Sequence, residues 1–356
     1  MSHNRVLFIL KRKEDFNPIK DSKIGLTTGL YNSASFMNDM LISGGVESKI
    51  VVVVDNNDID REVSIFKPTH VIIEALWVVP TKFSVLCKIH PNVKWIIRLH
   101  SEMPFLANEG MAMDWLGDYA SFPNLLIGVN SPRTVEEVKF YLGYKMGWDE
   151  TTRDKRVIYL PNFYPQEYKT KSYAVIEKPT IDISCFGAVR PLKNHLMQAL
   201  AAVKFATAIG KTLNFHVNSS RIEMKGDSVV RNLIGFFSHL SQTGHQLIHH
   251  EWADRAGFLE VCSQMDIAMQ VSISETFNIV GADHISQGVP LVGSQEIPWI
   301  DNWFAAKTSQ TEEIYKALLL THQNPELNVV KNQKELTIYT NRTREIWLDY
   351  FSKIND

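Results

Sequence analysis

The sequence predicts an α/β protein made of two doubly wound, Rossmann-like domains, and three observations predict it. Strand-like and helix-like patterns alternate along the chain, the mark of helices layered on a mostly parallel sheet. The alternation breaks in a polar, turn-rich stretch at residues 149–180 and then starts again. Finally, 356 residues are too many for one compact core and suit two domains of ordinary size. The expected boundaries are 1–165, 166–335 and a helical segment, 336–356, packing back on the first domain. Two such halves in tandem imply a central cleft between them.

In the first half, Val6 to Leu10 reads as a buried strand, followed by a long polar loop and a helix from Tyr31 to Ile42 that Gly44–Gly45 stops. The β-branched run Ile50 to Val54 is a second strand. His70–Glu74, Trp95–Leu99 and Leu125–Val129 follow as strands after Pro or Asn turns, and Ser131 is placed to cap a helix through Val135 and Tyr141. The charged DETTRDKR and the turn-rich LPNFYP then mark the boundary. In the second half, strands are expected at Ile181–Phe186, Leu213–Val217, Gln246–His249, Ile267–Gln270 and Pro290–Gly293. Helices are expected near His195–Ala208, Ser228–Leu240 and Asp254–Ser263, and an amphipathic helix from Lys331 to Phe351 ends the pattern.

Composition narrows the function. Hydrophobic residues make up 45% and charged residues 21%, which is globular usage. Lys+Arg 37 against Asp+Glu 39 gives a net charge of −2, so a nucleic-acid partner would be met through a local patch rather than bulk charge. Cys87, Cys185 and Cys262 are far apart and form no C-x-x-C pair, which argues against a disulfide framework or structural zinc. The opening MSHNRVLFIL runs into a strand without a leader pattern, and no apolar run approaches the ~20 residues of a membrane span. A cytoplasmic protein is expected.

The stretch with most chemistry is SETFNIVGADHISQGVPLVGS, Ser274 to Ser294. Glu275 precedes a helix, and Asp283 follows it eight residues, about two turns, later. Between them, the amides of Thr276, Phe277, Asn278 and Ile279 are expected at a helix N-terminus, where free N–H groups favour anions. A second stretch, CFGAVRPLKNHLMQAL, places Gly187, Arg190 and Lys193 in a strand–loop–helix.

These two stretches resemble the retaining glycosyltransferases of family four. That family carries a Glu, seven residues and a second Glu, followed by a Gly-Val-Pro turn; here the second acid is Asp283 and the turn is Gly288–Val289–Pro290. It also carries a Gly-Arg with a Lys five residues on. Gly187 and Lys193 keep that spacing, Ala188 holds the Arg position, and Arg190 lies two residues further. The resemblance implies the glycosyltransferase B (GT-B) fold and a nucleotide-sugar donor, UDP-linked. Transfer would proceed with retention, needing no cofactor and no metal. It assigns donor contacts to Gly29, Gly187, Thr276, Phe277, Asn278, Ile279 and Asp283, and catalytic roles to Glu275, His100, Lys193 and Arg190.

Several features have two readings. Gly29 falls at the family's Gly-rich turn, but a plain helix start explains it equally. His100, ending the strand in WIIRLHSEMPF, matches a family histidine near the donor sugar or is a satisfied structural residue, with Arg98 and Glu102 beside it on the acceptor side. Pro161–Asn162 marks the interdomain crossover. Trp252 reads as a core residue or a nucleobase platform. Asp58-Ile59-Asp60 matches a metal-binding D-x-D but reads better as a solvated loop. Lys11, Arg12 and Lys13 open a basic loop that suits a polyanionic acceptor or is merely solvated. The wording HSEMPFLANEG and SETFNIVGADHISQGVPLVGS also looks like glycosyltransferases of T-even-type phages. That likeness implies 5-hydroxymethylcytosine in double-stranded DNA as acceptor. A saccharide acceptor, a sugar-nucleotide epimerase and a non-catalytic DNA-binding protein are the alternatives.

Overall fold

The computed structural model describes residues 4–12, 29–173 and 178–352. The chain divides into two compact units, Met1–Pro165 with Thr340–Asp356, and Gln166–Tyr339.

The first unit runs β1 (Arg5–Lys11), α1 (Gly29–Ser43), β2 (Glu47–Val53), α2 (Asp58–Phe66), β3 (His70–Glu74), α3 (Phe83–Ile89), β4 (Lys94–Leu99), α4 (Met103–Leu106), α5 (Ala112–Ala120), β5 (Leu125–Val129), α6 (Pro132–Met146), α7 (Glu150–Arg156) and β6 (Val157–Tyr159). Its strands form a parallel sheet in the order β2-β1-β3-β4-β5-β6. The β-branched runs are buried on both faces, as a parallel sheet between helices requires. One side packs Leu7, Ile9, Val71, Ile73, Trp95 and Ile97 under α2, α3, α5 and α6. The other packs Val6, Phe8, Leu10, Ile72 and Ile96 against α1 and the closing residues Trp347 and Phe351.

The second unit runs β7 (Thr180–Val189), α8 (His195–Ala208), β8 (Thr212–Ile222), α9 (Asp227–His239), β9 (Gln246–His249), α10 (Arg255–Ser263), β10 (Ile267–Gln270), α11 (Ile279–Ser286), β11 (Leu291–Ser294), β12 (Ala305–Ala306), α12 (Thr311–Gln323) and the start of the long α13 (Pro325–Ser352), whose residues from Thr340 on belong to the first unit. Its parallel sheet is ordered β12-β11-β10-β7-β8-β9. Counted from β7 this is the 3-2-1-4-5-6 order of dinucleotide-binding sheets, read from the opposite edge. The order reverses between β7 and β10, so the loops leaving those two strands flank the switch point where such sheets bind ligands.

Several expectations need correcting. DETTRDKR is not linker: Asp149 accepts from Thr152 N–H at 2.8 Å and caps α7, which leads straight into β6. Asp58-Ile59-Asp60 is not a loop but the first turn of α2, with Asp58 accepting from Val54 N–H (3.1 Å) and Asp60 paired with His90 (2.7 Å). Among the described residues no group of three or more His, Cys, Asp or Glu is placed to hold a metal ion. Ser131 is the N-cap residue of α6, but its hydroxyl donates to Glu102 (2.8 Å) rather than capping. The return to the first unit falls at Thr340 within α13, not at 336, and α13 begins at Pro325, ahead of Lys331. No described helix is long and apolar enough to cross a membrane. The cysteines are free, with Cys185 and Cys262 buried.

Candidate functional site

At the switch point of the second unit, β7 ends in a distorted run. Gly187 sits at φ 109°, a conformation that favours glycine, and the pairing with β8 shifts register between Ser184 and Val189. The Gly187 N–H donates to Asn218 Oδ1 (2.9 Å), and Gln270 Nε2 donates to the Phe186 carbonyl (2.9 Å). Gly187 therefore belongs to the strand end rather than to the loop. The chain then makes a tight turn over Pro191–Lys193 and enters α8 through Asn194 at φ 60°.

Side chains sew this turn to the loop leaving β10. Asn194 Nδ2 donates to the carbonyls of Val271 (3.1 Å) and Thr308 (2.8 Å). Gln198 donates to the Lys193 carbonyl (2.7 Å) and accepts from Val271 N–H (2.9 Å), while Ile273 N–H donates to the Leu192 carbonyl (2.8 Å). The result brings two predicted catalytic residues together: Lys193 Nζ donates to Glu275 Oε1. That same oxygen accepts from Asn278 Nδ2 (2.9 Å). Asn278 also donates to Gln270 (3.0 Å) and accepts from Gly281 N–H (2.7 Å). It adopts φ 64° as the N-cap of α11, a conformation asparagine tolerates better than most residues.

Here too the expectation shifts. The helix starts at Ile279, so Thr276 and Phe277 precede it. The Phe277 ring is buried against Trp299 and Tyr339, and its carbonyl accepts from Trp299 Nε1 (2.6 Å). Any donor contact from Phe277 is thus confined to its backbone. Asp283 is buried and pairs with Arg255 at 2.9 Å, a partner that sequence spacing did not suggest. Arg190 points to Glu223 (2.7 Å), which also accepts from Arg221 Nε (2.7 Å). The Arg221 guanidinium lies 4.4 Å over Trp252. Trp252 is only partly buried, not a core residue. Gly288, at φ 73°, closes α11 before Val289–Pro290.

In the first unit the strand ends hold a different cluster. Glu74 and Arg98 are register partners on β3 and β4, and neither side chain is exposed. Arg98 lies 3.2 Å from both Glu74 oxygens and donates to the carbonyls of Leu160 and Pro161 (3.1 Å each) and to Asn162 Oδ1. Its guanidinium also lies 5.2 Å over Trp347. Arg98 is therefore a buried hub rather than a group lining an acceptor side. His100, two residues on, pairs with Glu74 through Nε2. Glu102 accepts from Ser131 and pairs with Arg133. Burial works against the charge of Glu74, yet Arg98 and His100 outweigh it and hold the carboxyl below its usual range.

Gly29 is the first residue of α1. Lys11 ends β1, exposed, and Arg12 N–H donates to the Val53 carbonyl (2.7 Å). Lys13 and the rest of the basic loop lie outside the described residues.

No family model and no curated protein matches the chain. Solved structures match it in fold. The sucrose-phosphate synthase of Thermosynechococcus elongatus is 11% identical, with 99% of each chain covered and a TM-score of 0.67. A UDP-forming α,α-trehalose-phosphate synthase of Burkholderia vietnamiensis is 9% identical over 99% of this chain and 96% of that one, at 0.66. An E. coli trehalose-6-phosphate protein bound with UDP-2-fluoro glucose is 11% identical over 97% and 98%, also at 0.66. This chain has the GT-B fold of those structures, with two parallel six-stranded sheets flanked by helices.

Proposed function

We propose that the chain is a retaining glycosyltransferase using a nucleotide-sugar donor. The observation that carries this reading is the Lys193–Glu275 pair, held by Asn278 between the loops that leave β7 and β10. It is supported by the likeness in fold to chains described as UDP-forming synthases and as bound with UDP-2-fluoro glucose. Lys193, with Arg190 beside it, would neutralise the donor diphosphate without a metal. Glu275 would accept hydroxyl hydrogen bonds from the sugar. Asp283 would read the ribose, sharing its carboxylate with Arg255. In the transfer, the bond from C1 to the diphosphate oxygen breaks. A bond from C1 to the acceptor oxygen forms on the same face, and the acceptor's proton passes to the leaving diphosphate.

For the acceptor, the phage-like wording of HSEMPFLANEG and SETFNIVGADHISQGVPLVGS supports 5-hydroxymethylcytosine in double-stranded DNA, with Lys11, Arg12 and Lys13 on its phosphates. The test is mass spectrometry of hydroxymethylated DNA, and separately of sugar phosphates, after incubation with a panel of nucleotide sugars. The expected result is a pentose or hexose added to the DNA. Transfer to a sugar phosphate alone would move the acceptor to a saccharide. A donor isomerised without acceptor would make the chain an epimerase, and no consumption of any donor would end the enzymatic reading.

A further inference from the structure

The two cations placed to meet a diphosphate are already paired with carboxylates, and the two pairs differ. Arg190 lies 2.7 Å from Glu223, which also accepts from Arg221 Nε at 2.7 Å. An anion that draws Arg190 away therefore leaves Glu223 with a cation. Lys193 Nζ donates to Glu275 Oε1, and among the described residues no other cation reaches that carboxylate. Once Lys193 turns to an anion, Glu275 keeps only a neutral donor, Asn278 Nδ2 at 2.9 Å. Its other oxygen, Oε2, has no hydrogen-bond partner among the described residues. Neither side of this pair can retreat. The Lys193 turn is tied down by Gln198, which donates to the Lys193 carbonyl (2.7 Å) and accepts from Val271 N–H (2.9 Å). On the other side Asn278 is buried and is itself held by Gln270 (3.0 Å) and by Gly281 N–H (2.7 Å).

We propose that Glu275 is a specificity-determining residue that turns away free nucleoside diphosphate by competing with it for Lys193. The identity of the ligand rests on the glycosyl-transfer reading. An anion arriving on Lys193 Nζ meets a fixed like charge, and two such charges about 4 Å apart repel in water and more strongly beside a protein. A misplaced charge of this kind excludes one ligand as surely as a good contact selects another. A nucleotide sugar meets the same competition but offsets it, because a sugar hydroxyl donates to the carboxylate that Lys193 has left. A bare diphosphate brings no hydrogen to that place. The same residue then favours release of the product. When the sugar has passed to the acceptor, Glu275 loses the hydroxyl and recaptures Lys193.

Calorimetry on the full chain, with UDP and UDP-glucose as probes, tests this. Glu275→Gln keeps the shape and removes the charge, so the dissociation constant for UDP should fall about 10-fold. That for UDP-glucose should stay near its wild-type value, because the same change weakens the acceptor for its hydroxyl. The preference for UDP-glucose over UDP should therefore drop by about the same 10-fold factor. A merely structural role for Glu275 would have the opposite sign, since a damaged site binds both probes more weakly. Glu275→Ala should also tighten UDP, and it serves if Glu275→Gln fails to fold. UDP bound no more tightly by the variants overturns the proposal, and so does equal tightening of both probes. A wild-type chain that binds neither UDP nor UDP-glucose overturns the UDP-linked donor as well, and this proposal with it.

Discussion

At the carboxyl ends of its strands the first unit carries a closed ion network, whereas the second carries an ion pair strung between two loops. Arg98 and Glu74 have 0% side-chain exposure, while Lys193 and Glu275 retain 20% and 9%. The first arrangement has given its hydrogen bonds to carbonyls and to neighbouring side chains. The second keeps a cation and a carboxylate within reach of a ligand, at the point where the sheet order reverses. Two sheets of the same parallel design can therefore use their strand ends in opposite ways, one mainly for rigidity and the other for exchangeable contacts.

The comparison can be broken most forcefully at Arg98. Arg98→Met would leave Glu74 buried beside a neutral chain, which costs about 3–5 kcal/mol when one partner of a buried pair is removed. Urea unfolding should show that loss while calorimetric affinity for UDP stays as in the wild type. A loss under about 1 kcal/mol, the range of exposed pairs, would erase the contrast. Acid acts on both units. Burial lowers the pKa of His70 to about 4, of His195 to about 3, with Lys193 adding to the effect, and of His284 to about 4. Each is lowered in the folded state, so unfolding takes up protons below pH 6.5 and stability falls as pH drops from there towards 4. At about 1.4 kcal/mol per pH unit for each histidine, the three together give a slope of about 4 kcal/mol per unit. Urea midpoints that stay flat between pH 6.5 and 4.5 would contradict it.

Lys193→Ala sharpens the other side of the contrast. It should weaken UDP binding by about 1.5–3 kcal/mol with little change in unfolding midpoint, and Arg190→Ala by an equal or smaller amount because Glu223 already engages it. Unchanged calorimetric affinity in both variants would remove these cations from the diphosphate. The smallest expected effect is that of chelation: transfer should continue in EDTA, since the cationic loop meets the diphosphate charge. Activity lost in EDTA and restored by magnesium or manganese would refute that.

The same contrast explains what could be read in advance. The second unit's site is built where the chain leaves β7 and β10, each a continuous stretch of sequence, so the two stretches that resemble family four brought Gly187, Lys193, Glu275 and Asp283 into view. The buried cluster of the first unit draws Glu74, Arg98 and Asn162 from separate strands and loops, and only the sheet order joins them. Arg98 was placed on the acceptor side because a guanidinium seldom lies fully buried without partners. DETTRDKR looked like linker because its helix buries no side chain and rests on its Asp149 cap. Arg255 was missed as the partner of Asp283 because the two sit on different helices, and the start of α11 was misplaced because Asn278 takes a left-handed turn that no periodicity reports.

The long α13 sets an order of events during synthesis. Trp347 and Phe351 fill the core beside Phe8 on β1, and Trp347 Nε1 donates to the Pro161 carbonyl at 2.9 Å. β1 thus waits for residues more than three hundred positions later before its core is complete. Contacts so far apart in sequence form slowly, because closing the intervening chain costs entropy before any packing compensates. Until residues beyond Thr340 arrive, one apolar face of the nascent first unit's sheet has α1 but lacks Trp347 and Phe351 over it, whereas the second unit draws on residues 166–339. Emergence from the ribosome therefore runs from first unit to second, and completion of folding runs the other way.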